Sequence, residues 1–265
     1  MTPLIKIDNL YFKREDQNPT GSAKDRALPL QVENLVKSGY QSAVISSTGN
    51  AAISASFYCE KASIPLTIFV SPKINPAKLA KIKGNIIKSK KPISDAIKFS
   101  KANNSYLLRQ STDSIAQIGY GQIAKELLIQ LPQISSLFIP VGSGTTLLGI
   151  SKILPQNIKI YAIQPASNPT ICSVFEPTYT PERETITDAL GVKYLPLKEE
   201  IINAIKSHGG SGIIVGNREA INCLDYLNQY HVSPESALTL AGFYQTEKKL
   251  EIGNYPVILL TGTKR

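Results

Sequence analysis

The chain has 265 residues, of which 42% are hydrophobic and 18% are charged, as in an ordinary globular protein with one large or two small domains. No apolar run reaches the roughly 18 residues that a membrane span requires. The first residues also lack the continuous apolar stretch of a secretory signal. We therefore expect a cytoplasmic protein without a membrane partner.

The formal net charge of +9 raises the question of nucleic-acid binding. The lysines are scattered, however, and no aromatic residues alternate with them, so solvated faces explain the charge more simply and we expect no nucleic-acid partner.

The three cysteines are far apart and odd in number, and the two histidines are isolated. We therefore expect neither a disulfide framework nor a metal site.

Short β-branched runs alternate with helical stretches along the chain. Strands are predicted at residues 42–46, 66–70, 85–88, 136–140, 159–163 and 255–260. Helices are predicted at residues 51–61, 76–83, 94–102, 118–131 and 145–153. This alternation is typical of parallel α/β units, in which sites form at the carboxyl ends of strands. Residues 168–188 are expected to form a surface loop or flap, and Pro29 to shorten or kink the helix that follows Lys24.

A polar turn occupies residues 18–26, with the sequence NPTGSAKDR. Ser22 is a good helix N-cap residue, and Lys24 then falls in the first turn of a helix. A turn with a solvated lysine has an ordinary structural explanation, but an amine placed there can also form a Schiff base. The residues alone leave both interpretations open.

Three further polar loops each follow a predicted strand. Residues 46–52 (SSTGNAA) are either a plain strand-to-helix turn or a set of N–H and hydroxyl donors for a carboxylate. Residues 139–146 (IPVGSGTT) let the backbone approach an anion closely, but Leu147 replaces the third glycine of a dinucleotide fingerprint and no P-loop lysine follows. The last is the turn at residues 261–262, for which the residues alone favour a simple strand end with solvated charges.

These four loops, in this chain order, resemble those of the pyridoxal-phosphate (PLP)-dependent tryptophan-synthase-β superfamily, in the form that threonine synthases have. The resemblance covers nearly the whole chain. It implies an α/β protein of PLP fold type II, a two-domain, three-layer αβα arrangement with parallel-rich sheets. Residues 33–131 would form a smaller, mobile domain, and residues 1–32 plus 132–265 a larger, PLP-binding domain. Pyridoxal 5′-phosphate would lie between them, and a homodimer is also implied.

The resemblance gives each loop a role. Lys24 would be the catalytic residue and would carry PLP as a Schiff base. The other cofactor-binding residues would be Asn50 at the 3′-oxygen, Gly142, Ser143, Gly144, Thr145 and Thr146 at the phosphate, and Thr261 at the ring nitrogen. Ser47, Thr48, Gly49 and Asn50 would bind the carboxylate of an amino-acid substrate.

The implied activity is that of a PLP-dependent carbon–oxygen lyase of amino-acid biosynthesis, which converts O-phosphohomoserine to threonine and phosphate as threonine synthase does. Three departures keep alternatives open: the chain is short for this family, Ala23 replaces the usual Phe, and Ala116 and Gly121 replace an Arg and a Lys. Without those cations, a smaller substrate is an alternative, with β-elimination or β-replacement as in serine/threonine dehydratases and cysteine synthases. A PLP-binding protein without turnover is the third possibility.

Overall fold

The computed structural model describes residues 1–47, 49–190 and 195–265. The strands are β1 Leu4–Ile7, β2 Leu10–Arg14, β3 Ala43–Ser46, β4 Leu66–Val70, β5 Asn85–Lys88, β6 Tyr106–Leu107, β7 Ser136–Pro140, β8 Lys159–Pro165, β9 Ser211–Val215 and β10 Pro256–Leu260. The helices are α1 Leu28–Lys37, α2 Asn50–Lys61, α3 Pro76–Leu79, α4 Pro92–Asn103, α5 Ser114–Gln130, α6 Thr145–Ser151, α7 Lys198–Ser207, α8 Asn217–Tyr226 and α9 Pro234–Glu247. In these ranges, no helix has both the length and the apolar character that a bilayer crossing would need.

The larger sheet has six strands in the order β1-β2-β10-β7-β8-β9. Only β1 and β2 pair antiparallel, and every other pair in this sheet is parallel. All residues of β7 and β10 are buried, because strands of a parallel sheet are covered on both faces. This burial explains why both strands appear in the sequence as nearly continuous apolar runs.

The smaller sheet has four parallel strands in the order β5-β4-β3-β6. All four come from the range 33–131, whereas every strand of the larger sheet comes from outside it. The fold is therefore mixed α/β with parallel-rich sheets, as the sequence predicts. The division into two domains and the mobility of the smaller one stay predictions.

The structure corrects the expectation for the chain after Lys24. Lys24 lies in a separate 3-10 turn, Ala23–Arg26, and its N–H is 3.4 Å from the hydroxyl oxygen of Ser22. Pro29 does not interrupt a helix but lies in the first turn of α1. A proline is tolerated there because the N–H that it lacks would have no partner within the helix.

A buried network of charged side chains holds the Lys24 turn against the rest of the fold. Arg26 donates to both carboxylate oxygens of Glu15, at 2.8 Å each, and to both oxygens of Glu126, at 2.6 and 2.8 Å. Lys13, which is completely buried, is ion-paired with Glu126. Burial alone would raise the pKa of Glu126, but hydrogen bonds from Arg26 and Lys13 outweigh burial and lower this pKa to about 2.

We predict that Glu126→Gln destabilises the protein at pH 7 by about 3–5 kcal/mol, because it leaves buried Lys13 without its ion-pair partner and leaves Arg26 with Glu15 alone. Because the folded-state pKa of Glu126 is depressed, its stabilisation is present above the unfolded value of about 4.3 and is lost as the pH falls toward 2. The wild type should lose roughly 3 kcal/mol across this interval from Glu126 alone. Urea unfolding at several pH values measures both effects.

The matched control is Glu60→Gln, which removes one carboxylate from an exposed ion pair with Lys83. Exposed pairs contribute little, so this variant should stay within about 1 kcal/mol of the wild type. If Glu126→Gln shows the same decline in stability between pH 5 and 2 as the wild type, the depressed pKa is wrong.

Candidate active site

A cleft of about 770 Å³ lies where the carboxyl ends of strands from both sheets meet. This volume is within the usual range for small-molecule sites. Among the residues that line the cleft are nine of the predicted site residues: Lys24, Ser47, Gly49, Asn50, Gly142, Ser143, Gly144, Thr146 and Thr261. Thr145 is buried and is not among the lining residues, and the predicted carboxylate contact Thr48 lies outside the described residues. The structure therefore brings together four loops that are far apart in the sequence.

The turn that carries Lys24 is fixed by the chain that follows β10. Ala23 donates its N–H to the carbonyl oxygen of Thr261 at 2.9 Å, and Thr263 donates its N–H to the carbonyl oxygen of Gly21 at 3.0 Å. These two bonds join the first and the last of the predicted loops. They set the position of the Lys24 backbone relative to the end of β10.

The Asn50 side chain offers an unpaired amide oxygen in the same cleft as Lys24. Asn50 is the first residue of α2 and follows Gly49. Its Oδ1 atom is buried and has no hydrogen-bond partner within the described part of the chain. Buried polar atoms are rarely left in this state, so the amide is suited to contact a ligand in the cleft.

The loop between β7 and α6 requires glycine at two positions. Gly144 has φ +77°, and a Cβ atom there would lie 2.0 Å from the Cδ1 atom of buried Ile201. A Cβ atom at Gly142 would lie 2.7 Å from the carbonyl oxygen of Ala189. The Ser143 and Thr145 hydroxyl oxygens are 3.1 Å apart. Close packing against Ile201 and Ala189 therefore leaves no room for a side chain at Gly144 or Gly142.

Sequence reasoning missed several side chains of the site. Gln110 and Arg109 line the cleft just after β6, which is only two residues long and gave no strand signal. Tyr120, in the middle of α5, lies with its hydroxyl oxygen 3.2 Å from Lys24 Nζ. Glu235 accepts two backbone N–H bonds at 3.1 Å each, from residues 188 and 189, and so holds the chain that packs on the glycine-rich loop.

Positions 116 and 121, where the resemblance led us to expect cations, lie in the packed interior. Ala116 is completely buried in α5, and a Cβ atom at Gly121 would lie 3.1 Å from the side chain of Ile153, which follows α6. Neither position lines the cleft. Among the residues that the structure describes, the cations that line it are Lys24, Lys73, Lys78 and Arg109.

The cysteines take no part in the cleft. All three are buried, and burial raises the pKa of Cys59 to about 12 and that of Cys223, which also lies near Glu219, to about 11. Thiols with such pKa values are poor nucleophiles. Across the described residues, no group of three His, Cys, Asp or Glu side chains is arranged to hold a metal ion.

Comparison with known proteins identifies the family. The profile of the family described as "Pyridoxal-phosphate dependent enzyme" matches residues 1–262. The chain belongs to this family. Its cofactor is therefore pyridoxal 5′-phosphate, and the cleft fits this cofactor: it combines the Lys24 amine, the unpaired amide of Asn50 and a glycine-rich loop.

The relatives differ in the reactions that their names describe. Threonine synthase of Methanosarcina acetivorans is 27% identical, over 91% of this chain and 68% of that protein. L-threo-3-hydroxyaspartate ammonia-lyase of Saccharomyces cerevisiae is 26% identical, over 96% of this chain and 82% of that protein. The structure of maize serine racemase superposes with a TM-score of 0.86 at 20% identity, covering 100% of this chain and 88% of that one. The fold is thus that of the PLP-dependent enzymes of fold type II.

We predict that Gly144→Ala weakens PLP binding by at least about tenfold, because the added methyl group would collide with Ile201 and the glycine-rich loop would have to shift from its position in the cleft wall. Gly39→Ala is the matched control: Gly39 has the same φ of +77°, but nothing lies within 4 Å of its Cβ position. Both variants should lose about 1–2 kcal/mol of stability from the left-handed backbone. Absorbance titration of the apoprotein with PLP, together with thermal unfolding, separates the two effects, and equal PLP affinities would contradict the prediction.

Proposed function

We propose that the protein is a PLP-dependent carbon–oxygen lyase of the threonine-synthase type, which converts O-phosphohomoserine and water to threonine and phosphate. The observation that carries the proposal is that Lys73 and Arg109 line the same cleft as Lys24. Within the described ranges, neither Lys73 nor Arg109 lies within ion-pairing distance of an acidic group. A substrate with a second anionic group, such as a phosphate, would supply the missing partner.

When bound, PLP supplies an aldehyde that reacts with amines and a ring that withdraws electrons from the substrate Cα. In this proposal, Lys24 binds the cofactor and, once freed by the substrate amine, moves protons at the substrate carbon atoms. Lys24 lines the same cleft as Ser47, Gly49 and Asn50, which supports this role. General acid–base work of this kind requires a group within hydrogen-bond reach of the proton.

The remaining loops bind and orient the substrate and the cofactor. Ser47, Gly49 and Asn50, together with the predicted Thr48, hold the substrate carboxylate, and Asn50 also contacts the cofactor 3′-oxygen. The chain from Gly142 to Thr146 holds the cofactor phosphate, since the first N–H groups of α6 have no partner within the helix. Thr261 is the proposed contact for the ring nitrogen, since it lines the cleft directly after β10.

Closure of the cleft is a further part of the proposal. Lys78, on α3, is ion-paired with Asp188, in the chain that packs on the glycine-rich loop. We propose that residues 33–131 move as the smaller domain and that this contact is made and broken as they move. Closure would exclude water from the reacting carbon. By its resemblance to the superfamily, we propose that the enzyme works as a cytoplasmic homodimer.

A lyase that acts on a non-phosphorylated amino acid is the second candidate. The substitutions Ala116 and Gly121 favour it, because the expected cations are absent from those positions. The yeast relative is named for an ammonia-lyase reaction on L-threo-3-hydroxyaspartate, which also carries a second anionic group. Lys73 and Arg109 would suit either substrate.

A substrate panel tests the proposal. O-phosphohomoserine, 3-hydroxyaspartate, serine, threonine and O-acetylserine are each supplied to the enzyme, and release of phosphate, ammonia or acetate is measured. We expect phosphate release from O-phosphohomoserine in the wild type and none with Lys24→Ala, whereas Lys37→Ala, at an exposed position of α1, should retain full activity. Borohydride reduction and peptide mass analysis should find PLP on Lys24 only. Ammonia release without phosphate release would favour the second candidate, and normal activity in Lys24→Ala would refute the role of Lys24.

We predict that Arg109→Gln raises KM for the anionic substrate by about tenfold or more and changes kcat much less, because it removes a charge partner of the bound group. Arg218→Gln, at an exposed position of α8 outside the cleft, is the control and should leave both constants unchanged. Steady-state kinetics with O-phosphohomoserine provides the measurement. An unchanged KM in Arg109→Gln would contradict the proposed anion contact.

A further inference from the structure

We propose that Tyr120 is a positioning residue for Lys24, with its hydroxyl group oriented by Gln110. The inference rests on the proposed function of Lys24 and adds two residues to it. Lys24 Nζ donates to the Tyr120 hydroxyl oxygen at 3.2 Å, and the hydroxyl donates to Gln110 Oε1 at 3.0 Å. The lysine nitrogen also lies 5.5 Å from the centroid of the Tyr120 ring.

The direction of these bonds follows from their donors and acceptors. A Tyr hydroxyl has one proton to donate, and Gln110 offers a carbonyl oxygen to receive it. The lone pairs of the hydroxyl oxygen are then left for Lys24. Tyr120 therefore accepts from the lysine in a fixed direction, and the ring face adds a favourable contact with the ammonium form.

Tyr120 is suited to this task because its own position is rigid. Its side chain is completely buried. On one side, a Cβ atom at Gly149 of α6 would lie 2.7 Å from the Tyr120 Cβ atom. On the other side, a Cβ atom at Gly119 would lie 2.2 Å from the carbonyl oxygen of Arg26, in the same turn as Lys24. Glycine at both positions thus lets α5 seat Tyr120 directly against α6 and the Lys24 turn.

Gln110 connects this pair to the cleft. It is 8% exposed, lines the cleft, and its Nε2 atom has no hydrogen-bond partner in the described residues. A buried amide donor without an acceptor is uncommon, so a ligand in the cleft is its expected partner. A ligand that engages Gln110 would also fix the acceptor oxygen that orients Tyr120.

The function of this arrangement is to keep the lysine nitrogen in one place when it is not bonded to the cofactor. A lysine side chain is long and flexible, and a freed amine could turn away from the reacting carbon. The hydroxyl group holds the nitrogen beside the cleft, where it can take a proton and return it. Loss of one hydrogen bond to a charged group corresponds to about ten- to a hundredfold in rate.

The test uses Tyr120→Phe, which removes only the hydroxyl group, Gln110→Met, which removes the acceptor, and the double variant. Tyr161→Phe is the control, since Tyr161 is also buried but its hydroxyl group donates to the carbonyl oxygen of Glu251 and not to a residue of the site. Three quantities are measured: kcat and KM on the substrate identified by the panel, the kinetic isotope effect with Cα-deuterated substrate, and the rate at which the apoprotein attaches PLP to Lys24, trapped with borohydride.

We expect Tyr120→Phe to lower kcat about ten- to a hundredfold with little change in KM, to raise the isotope effect, and to slow PLP attachment. Gln110→Met should lower kcat in the same way and, because it also removes the Nε2 donor that faces the cleft, should raise KM. In kcat the double variant should be no worse than Tyr120→Phe, because both residues act on Lys24 through one hydroxyl group. If Tyr120→Phe matches Tyr161→Phe in kcat and attachment rate, or if the effects of the two substitutions on kcat add, the inference is overturned. Absence of a PLP adduct on Lys24 in the wild type would instead refute the proposed function itself.

Discussion

The guanidinium group of Arg26, held between two buried carboxylates, is the constraint on which the candidate site depends. Glu15 follows β2 of the larger sheet and Glu126 lies on α5, so Arg26 joins the sheet, the helix and the Lys24 turn at a single point. An unpaired charge at such depth would be costly, and for this reason the network has one favourable arrangement. Lys24 is two residues away and Tyr120 is less than two helical turns from Glu126, so the same ions that fix Arg26 also fix the spacing between the lysine and the tyrosine.

Close packing at glycine residues also fixes the position of α5. The backbone of α5 approaches both the Lys24 turn and α6 so closely that a single methyl group at position 119 or 149 would collide with main-chain atoms. The absence of the two expected cations from α5 is understandable in this light, since Gly121 faces α6 and Ala116 is buried. Among the described residues, the cations that line the cleft besides Lys24 lie in the chain that follows β4 and β6, on the opposite sheet. The parts of the chain around the two sheets thus contribute different groups to the cleft. The part around the larger sheet contributes the Lys24 amine and the glycine-rich loop, and the part around the smaller sheet contributes the Asn50 amide and the other cations.

The sequence predicts best those features that depend on residues adjacent in the chain, such as buried strands and short loops. Buried parallel strands such as β4, β7 and β8 appear as apolar runs, and each predicted site loop is one short segment, so the fold class and nine cleft residues could be predicted. The strands β1 and β9 lie at sheet edges, and β6 has only two residues, so their patterns were too weak to recognise. Tyr120 and Gln110 could not be found because helix packing, and not sequence proximity, brings them to Lys24. Pro29 was misjudged because a proline in the first turn of a helix and one that breaks a helix look alike until the start of the helix is known.

The place of β10 in the larger sheet has a consequence for biosynthesis. This strand follows the other nine described strands in the sequence, yet it lies in the middle of the sheet, between β2 and β7. Until residues 256–260 leave the ribosome, those two strands each present an open row of backbone donors and acceptors, which is a template for pairing with other nascent chains. The sheet can close only once this segment has been synthesised, and the same segment brings Thr261 to the Lys24 turn. Completion of the large sheet and assembly of the cleft therefore depend on one segment, and a nascent chain that stalls before residue 256 is exposed to aggregation.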